Sequence, residues 1–254
     1  MQQSVSLILP AYNEAGRIAG TIAEAVRYFE SRNCPYEIIV AADGDDGTRE
    51  IVSELAGRNH RLRVIGQPAR LGKGRGIREA VRLATQSIIG FADADNKVPI
   101  DEYDKFAPVL ETGCPVVIGS RGLERSLIER AQPWYRRVGS MGFAFFMQNM
   151  TGLRSVSDTQ CGFKFFQHEV AKRIFAMQQI DGYMYDVEIL LLAQCLELRV
   201  HEIPIRWRDD GDSRLQLVRG NLRNVRDIFR IRLATRAAVR AHVAVTQPVL
   251  RSDR

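Results

Sequence analysis

The sequence predicts an α/β domain with a mostly parallel sheet and helices on both faces. Three observations predict it. Short apolar runs of strand length alternate with longer segments whose apolar residues recur every three or four positions. Polar clusters follow four of those runs, where the loops at the carboxyl edge of a parallel sheet would lie. The chain has 254 residues, 45% of them hydrophobic, enough for one large domain with its own core.

Taken in order, "VSLILP" reads as a strand that ends near Pro10. Glu14 to Arg32 follows as a helix, with Ile18, Ile22, Val26 and Phe29 on one face. "YEIIVAA" is the second strand and "TREIVSELAGR" the second helix. "LRVIG" precedes the helical "GKGRGIREAVRLATQ", and "SIIGFA" precedes "DEYDKFAPVLETG". "PVVIGSR" is the fifth strand. Strands alternating with helices in this way build parallel sheets. The second half is less regular. Trp134 to Asn149 has a helical, aromatic-rich pattern, and "DTQCGFKFF" reads as a loop leading into a strand. Tyr185 to Glu197 reads as a helix, "VHEIPIRW" as a strand, and a last helix starts at Leu215.

Composition narrows the function classes. Cys34, Cys114, Cys161 and Cys195 form no C-x-x-C pair, which fits neither a zinc site nor a disulfide scaffold and points to a reducing compartment. The first apolar run is too short for a signal peptide, and no stretch approaches a membrane span. The expectation is a cytoplasmic protein, soluble or peripheral on the cytoplasmic membrane face. The net charge of +6 is unevenly placed: residues 214–254 hold ten arginines against Asp227 and Asp253, so the body is near neutral. A near-neutral body argues against nucleic acid as a partner.

The polar clusters are Tyr12-Asn13-Glu14, Asp43 to Asp46, Asp93 to Asn96, and Ser120-Arg121. Four clusters at one edge make a site. In "GFADADNK", Asp93 and Asp95 are two residues apart, and in an extended segment both would point to the same side. Such hard oxygen ligands suit Mg²⁺ or Mn²⁺ bridging to substrate phosphates. An acidic loop capping the next helix is the plainer reading of an isolated D-x-D. The glycine-flanked Lys73 of "GKG" is not a Walker loop, which needs a different spacing.

"PAYNE" (Pro10 to Glu14), "DGDDGT", "GKG", "DAD", "GSR" (Gly119 to Arg121) and "DTQCGFK" (Asp158 to Lys164) occur in this order and register. Together they resemble the family 2 inverting glycosyltransferases, and within these the polyprenyl-phosphate hexosyltransferases, over roughly residues 4–210. "DTQCGFK" followed by "YDVEIL" is most similar to the dolichyl-phosphate glucosyltransferases, with the mannose synthases next. The resemblance implies a GT-A-like, Rossmann-type catalytic domain over 1–213 and a basic amphipathic tail over 214–254. It implies that Pro10, Tyr12 and Glu14 line a nucleoside pocket and that Asp43 bonds base or ribose. Lys73 would lie near the donor, Asp93 would contact the nucleotide sugar, and Asp95 would ligate Mg²⁺ or Mn²⁺. Arg121 would sit beside a donor or acceptor phosphate. Two departures stand out: Ala42 occupies the first place of the usual Asp pair, and Lys97 stands where mannose synthases often have Gln. The second predicts a metal held by fewer protein ligands.

The implied reaction moves a hexose from UDP-glucose, or alternatively GDP-mannose, to a polyprenyl phosphate. A phosphate monoester is largely ionised at neutral pH and needs no general base, only cations that hold it in line. Arg121, Arg136, Arg137 and Lys164 are the candidates. A soluble alcohol or glycan acceptor would need a base, for which Asp158, Asp186 and Glu188 are available. Trp134, Tyr135, Phe143, Phe145 and Phe146 would form either core or a greasy mouth for lipid. In the tail, Leu215, Val218, Leu222, Val225 and Phe229 make an apolar stripe flanked by Arg219, Arg223, Arg226 and Arg230. That pattern suits peripheral contact with an anionic membrane, or docking onto the catalytic domain or a second copy in a homodimer.

Overall fold

The computed structural model describes residues 3–123, 127–128, 152–153 and 156–208, together with 228, 231 and 235. Seven strands form one sheet: β1 Val5–Tyr12, β2 Tyr36–Asp43, β3 Leu62–Ile65, β4 Ile88–Phe91, β5 Val116–Ser120, β7 Lys164–Gln167 and β8 Val200–Pro204. A separate parallel ribbon pairs β6 Leu127–Ile128 with β9 Arg206–Trp207. The helices are α1 Ile18–Ser31, α2 Thr48–Arg58, α3 Lys73–Leu83, α4 Tyr103–Glu111, α5 His168–Met177 and α6 Tyr185–Cys195.

The sheet order is β3-β2-β1-β4-β7-β5-β8. All neighbours are parallel except β7, which runs antiparallel to both β4 and β5. From β1 the chain moves outward through β2 and β3, then returns to lay β4 on the other side of β1. That reversal makes the carboxyl ends of β1 and β4 the switch point, the usual ligand position in an open α/β sheet.

Strand periodicity divides the core into two layers. Ile8, Ile39, Phe91 and Phe166 face one way and meet α3, α5 and α6 through Ile77, Ile174, Phe175 and Leu190. Leu7, Leu9, Ile38, Val40 and Phe165 face the other way and meet α1 and α4 through Ile22, Phe29, Phe106 and Leu110. Gly90 sits opposite Phe165 in the β4–β7 register, and a Cβ there would lie 2.0 Å from that ring. Glycine is therefore what lets the antiparallel strand close against β4.

Four elements differ from the sequence expectation, the first being "VHEIPIRW", which is split at Ile205 into β8 and β9 in different sheets. The first helix starts at Ile18, because Glu14 to Arg17 form a turn in which the Glu14 carbonyl accepts the N–H groups of Arg17 and Ile18. The helix expected over "DEYDKFAPVLETG" opens with a short 3₁₀ turn, Ile100–Glu102. Helix α5 was not anticipated at all. Its buried Ala171, Ile174 and Phe175 have helical spacing, but they follow directly on the apolar "FKFF" of β7 and blur into it.

The aromatic segment 134–149 lies outside the described residues, as do Arg136, Arg137 and the tail-stripe residues Leu215, Val218, Leu222, Val225 and Phe229. Within 214–254 the described positions are helical Ile228, Ile231 and Thr235, all buried at three- and four-residue spacing. Ile228 and Ile231 join the core layer that contains α6. No helix among the described residues is long and apolar enough to cross a membrane.

Candidate active site

The loops after β1 and β2 are locked to each other. Asn13 adopts a left-handed backbone (φ 55°), and its side-chain oxygen accepts the Asp45 N–H at 3.2 Å. Gly44 (φ +113°) must be glycine there, since a Cβ would lie 1.9 Å from that same oxygen. The Glu14 N–H donates to Thr48 Oγ1 and the Ala15 N–H to Asp46, each at 2.9 Å. Asp46 also accepts the Thr48 hydroxyl at 2.6 Å. Burial pulls its acidity down, but the hydrogen bonds from Thr48 and Ala15 outweigh this and hold the carboxyl below its usual range. "PAYNE" and "DGDDGT" are thus one rigid rim.

Asp43, at the end of β2, accepts the N–H groups of Leu71 at 2.8 Å and Gln67 at 3.4 Å. It borders a cleft of about 100 Å³ with Gln67, Leu71, Arg75 and Glu79. Pro10 is half-buried in β1 opposite Ala41. At the rim, the Arg70 guanidinium lies 4.1 Å over the Tyr12 ring and donates to the Tyr183 hydroxyl at 3.0 Å.

The acidic motif sits deeper, beyond β4. It is a turn, not the extended segment that the two-residue spacing suggested. Asn96 is left-handed (φ 56°), and its N–H bonds back to the Asp93 carbonyl at 3.1 Å. Helix α1 fixes this turn: Thr21 donates to the Ala94 carbonyl at 2.8 Å, and Asn96 donates to Glu24 at 2.7 Å. Asp93 pairs with Lys73 at 2.5 Å. Asp95 pairs with Lys97 at 3.6 Å. Burial and then the neighbouring Asp93 raise the Asp95 carboxyl above its usual range, against the pull of Lys97.

Two glycine contacts bring Lys73 and Asp93 together. Gly72 (φ +116°) lies against the Asp181 carbonyl, where a Cβ would be 2.3 Å away. That seats the start of α3 under the 178–184 loop. Gly162, in "DTQCGFK", lies against Asp93, and a Cβ there would be 2.1 Å from Oδ2. The glycine of one motif is thus the seat for the carboxylate of another.

The acceptor-side candidates fall into two groups. Arg121 grips Asp158 with two guanidinium bonds of 2.7 and 3.0 Å, and its backbone N–H adds a third at 3.1 Å. Burial opposes the Asp158 charge, but Arg121 prevails and keeps that carboxyl low. Glu202, on β8, accepts the N–H groups of Ser157 and Asp158 at 2.9 and 3.1 Å and fixes their loop. Lys164 and Glu188 turn inward. The Lys164 ammonium has no exposed surface and pairs with Asp186 at 2.5 Å and with the Cys161 carbonyl. Burial raises the Asp186 carboxyl, opposed by Lys164 and Lys73. Glu188 accepts the N–H groups of Gln179 and Ile180 at 2.9 and 2.8 Å, so it braces the loop over "GKG".

Trp207 was not picked out from sequence. Its ring has the Lys97 ammonium 5.8 Å and the Arg121 guanidinium 5.6 Å from its centroid, so it joins the acidic turn to the Arg121–Asp158 pair. Its strand is clamped in place. Arg206 donates to buried Glu102 at 2.6 Å and to Asp101 at 2.7 Å, and the Arg208 N–H donates to the Lys97 carbonyl at 2.8 Å.

A divalent cation fits this donor set in one way. Among the described residues, no three His, Cys, Asp or Glu side chains converge on a point that could hold a metal ion. Asp93 and Asp95 offer partly exposed carboxylates, at 40% and 24%, on a single turn. Such a pair can hold Mg²⁺ or Mn²⁺ only if phosphate and water complete the shell, the common arrangement for these ions at phosphate sites.

Residues 6–175 match Glycosyl transferase family 2. Among curated relatives, a dolichyl-phosphate beta-glucosyltransferase of Drosophila melanogaster is 32% identical over 242 residues, covering 89% of this chain and 74% of its own. Another of that description, from Trichomonas vaginalis, is 30% identical over 245 residues, covering 92% and 72%. Among solved structures, glucosyl-3-phosphoglycerate synthase from Mycobacterium tuberculosis, in complex with Mn²⁺, uridine diphosphate and glucosyl-3-phosphoglycerate, superposes with a TM-score of 0.66 at 19% identity, covering 92% of this chain and 80% of that one. That likeness establishes the GT-A-like fold. The sheet, the acidic turn at its switch point and the match over most of the catalytic region agree: the chain is a glycosyltransferase and belongs to glycosyl transferase family 2.

Proposed function

We propose that this enzyme transfers glucose from UDP-glucose to a polyprenyl phosphate of the dolichyl type, with a divalent cation and with inversion at the anomeric carbon. The observation that carries the reading is the meeting of "DAD", "GKG" and "DTQCGFK" around Asp93, through its Lys73 pair and its Gly162 seat. The curated relatives named for dolichyl-phosphate glucosyl transfer support the acceptor and the sugar. The Mn²⁺ and uridine diphosphate named in the fold neighbour's complex support the cation and the nucleotide.

In this mechanism Asp43 and the Tyr12–Glu14 rim hold the nucleoside, and Lys73 meets the donor diphosphate. Asp95 holds the cation with Asp93 beside it. When bound, the cation supplies Lewis-acid neutralisation of the departing diphosphate. An acceptor phosphate oxygen forms a bond to the anomeric carbon as the bond to the nucleoside diphosphate breaks on the opposite face. An α-linked donor therefore gives a β-linked product. The acceptor arrives already ionised, so no side chain has to remove a proton. Arg121, fixed by Asp158, orients it. Peripheral membrane contact through 214–240 would bring the lipid acceptor within reach.

The test is incubation of the full chain with labelled nucleotide sugars, Mg²⁺ or Mn²⁺, and a short polyprenyl phosphate, followed by analysis of the lipid extract. Labelled glucosyl lipid from UDP-glucose is expected, lost on chelation and in Asp95→Ala. Label from GDP-mannose alone would reassign the sugar. Transfer only to soluble alcohols would overturn the acceptor, and full turnover of Asp95→Ala with Mn²⁺ would overturn the cation assignment.

A further inference from the structure

Four carboxylates of the site motifs are paired with cations. Lys73 pairs with Asp93 at 2.5 Å, Lys97 with Asp95 at 3.6 Å, Arg121 with Asp158 at 2.7 Å and Lys164 with Asp186 at 2.5 Å. We propose that Lys97 is the built-in counter-ion of Asp95, and that it makes the divalent cation and the nucleoside diphosphate bind as a unit instead of separately. The proposal rests on the donor reading above and specifies how that site is filled.

A lone divalent ion approaching the turn would have to displace ammonium groups already satisfying the carboxylates. A lone diphosphate would have to draw those ammonium groups away and leave carboxylates exposed to each other. When both arrive together, the carboxylates take the cation and the phosphate oxygens take the ammonium groups, so every charge keeps a partner. The exposures say which pairs exchange. Lys164–Asp186 is at 0% and 5%, and Asp158 at 11%, so these pairs are part of the scaffold. Asp93 and Asp95 are more open, at 40% and 24%. Of their two partners, Lys97 makes the looser contact. Each ammonium also lies near a ring, Lys97 5.8 Å from the Trp207 centroid and Lys73 5.9 Å from the Tyr185 centroid, so the longer ion pair is what sets Lys97 apart. Lys97 is therefore the group that moves aside.

Calorimetry on the full chain tests this, using Mn²⁺ and UDP as probes, singly and together, with paramagnetic resonance of free Mn²⁺ as a second readout. In the wild type, Mn²⁺ alone should bind weakly, and saturating Mn²⁺ should tighten UDP by about tenfold or more, a reciprocal coupling. Lys97→Met removes the charge and keeps the length. It should tighten lone Mn²⁺ by about tenfold and shrink the coupling by a similar factor. Lys97→Arg keeps the charge and should behave as wild type. If Lys97→Met unfolds at a lower temperature than wild type, Lys97→Gln carries the same expectation. Mn²⁺ binding no tighter in both neutral variants than in wild type overturns the counter-ion role. UDP that fails to bind with or without Mn²⁺ overturns the donor reading instead, and the Mn²⁺-only arm still decides the role of Lys97.

Discussion

Replacing Lys164 with Met should be among the most damaging single changes to the scaffold. The ammonium is wholly buried, 2.5 Å from Asp186, whose side chain is 5% exposed, and it also serves the Cys161 carbonyl. Removing one partner of a buried pair leaves an uncompensated charge and costs about 3–5 kcal/mol. For a chain of this size, each kcal/mol lowers the melting temperature by roughly 2–4 °C, so a fall of roughly 10 °C is expected. Differential scanning calorimetry measures it. The variant should also acquire a distinctive pH dependence. Burial already raises the Asp186 carboxyl, with Lys164 opposing. The folded chain then keeps a proton that the unfolded chain releases, so stability falls as pH rises from the ordinary 3.8 toward the raised folded value. Without Lys164 that window extends upward, and the variant should recover part of its loss on acidification. The double variant Lys164→Met, Asp186→Leu should recover most of the loss at neutral pH. A single variant within about 1 kcal/mol of wild type at neutral pH would refute the reasoning.

Gly162→Ala would drive a methyl group to 2.1 Å from Asp93 Oδ2, so turnover should fall on the order of a hundredfold. Steady-state kinetics that match wild type would remove Gly162 as the seat of Asp93. Trp207→Phe keeps an aromatic face for Lys97 and Arg121 and should retain most activity. Trp207→Leu keeps bulk but loses about 1–2 kcal/mol of cation–ring attraction, roughly a tenfold drop in turnover. Equal rates for the two variants would show that bulk alone matters. Changing Arg219, Arg223, Arg226 and Arg230 together to Gln should abolish flotation with anionic vesicles. Unchanged flotation would eliminate the basic stripe as a membrane contact.

The strand–helix alternation of the first half was legible because β1, β2, β4 and β5 are almost wholly buried apolar runs, and a helix follows each of β1 to β4 after a loop. The gathering of Tyr12, Asp43, Asp93 and Arg121 at one edge followed from the same logic. The direction of β7 did not, since nothing in "KFFQ" distinguishes a parallel from an antiparallel neighbour. Lys164 looked like a ligand for an anion because its carboxylate lies 22 residues further on, and sequence shows the helix that carries Asp186 but not which strand residue it meets. The "DAD" geometry depended on Asn96 taking a left-handed backbone, a choice enforced by Thr21 and Glu24 across 73 and 72 residues of chain. Trp207 was hidden for a similar reason, as its two cations come from separate loops.

Strand β7 has a further consequence. Strands β4 and β5 are neighbours in the chain's sequence of parallel strands, yet β7 is wedged between them. Two inter-strand steps instead of one set their axes roughly 10 Å apart. Asp93 follows the first of these strands and Arg121 the second, so in the proposed reaction the fold would hold the leaving and arriving ends at a fixed span. Shortening that span would require removing a strand.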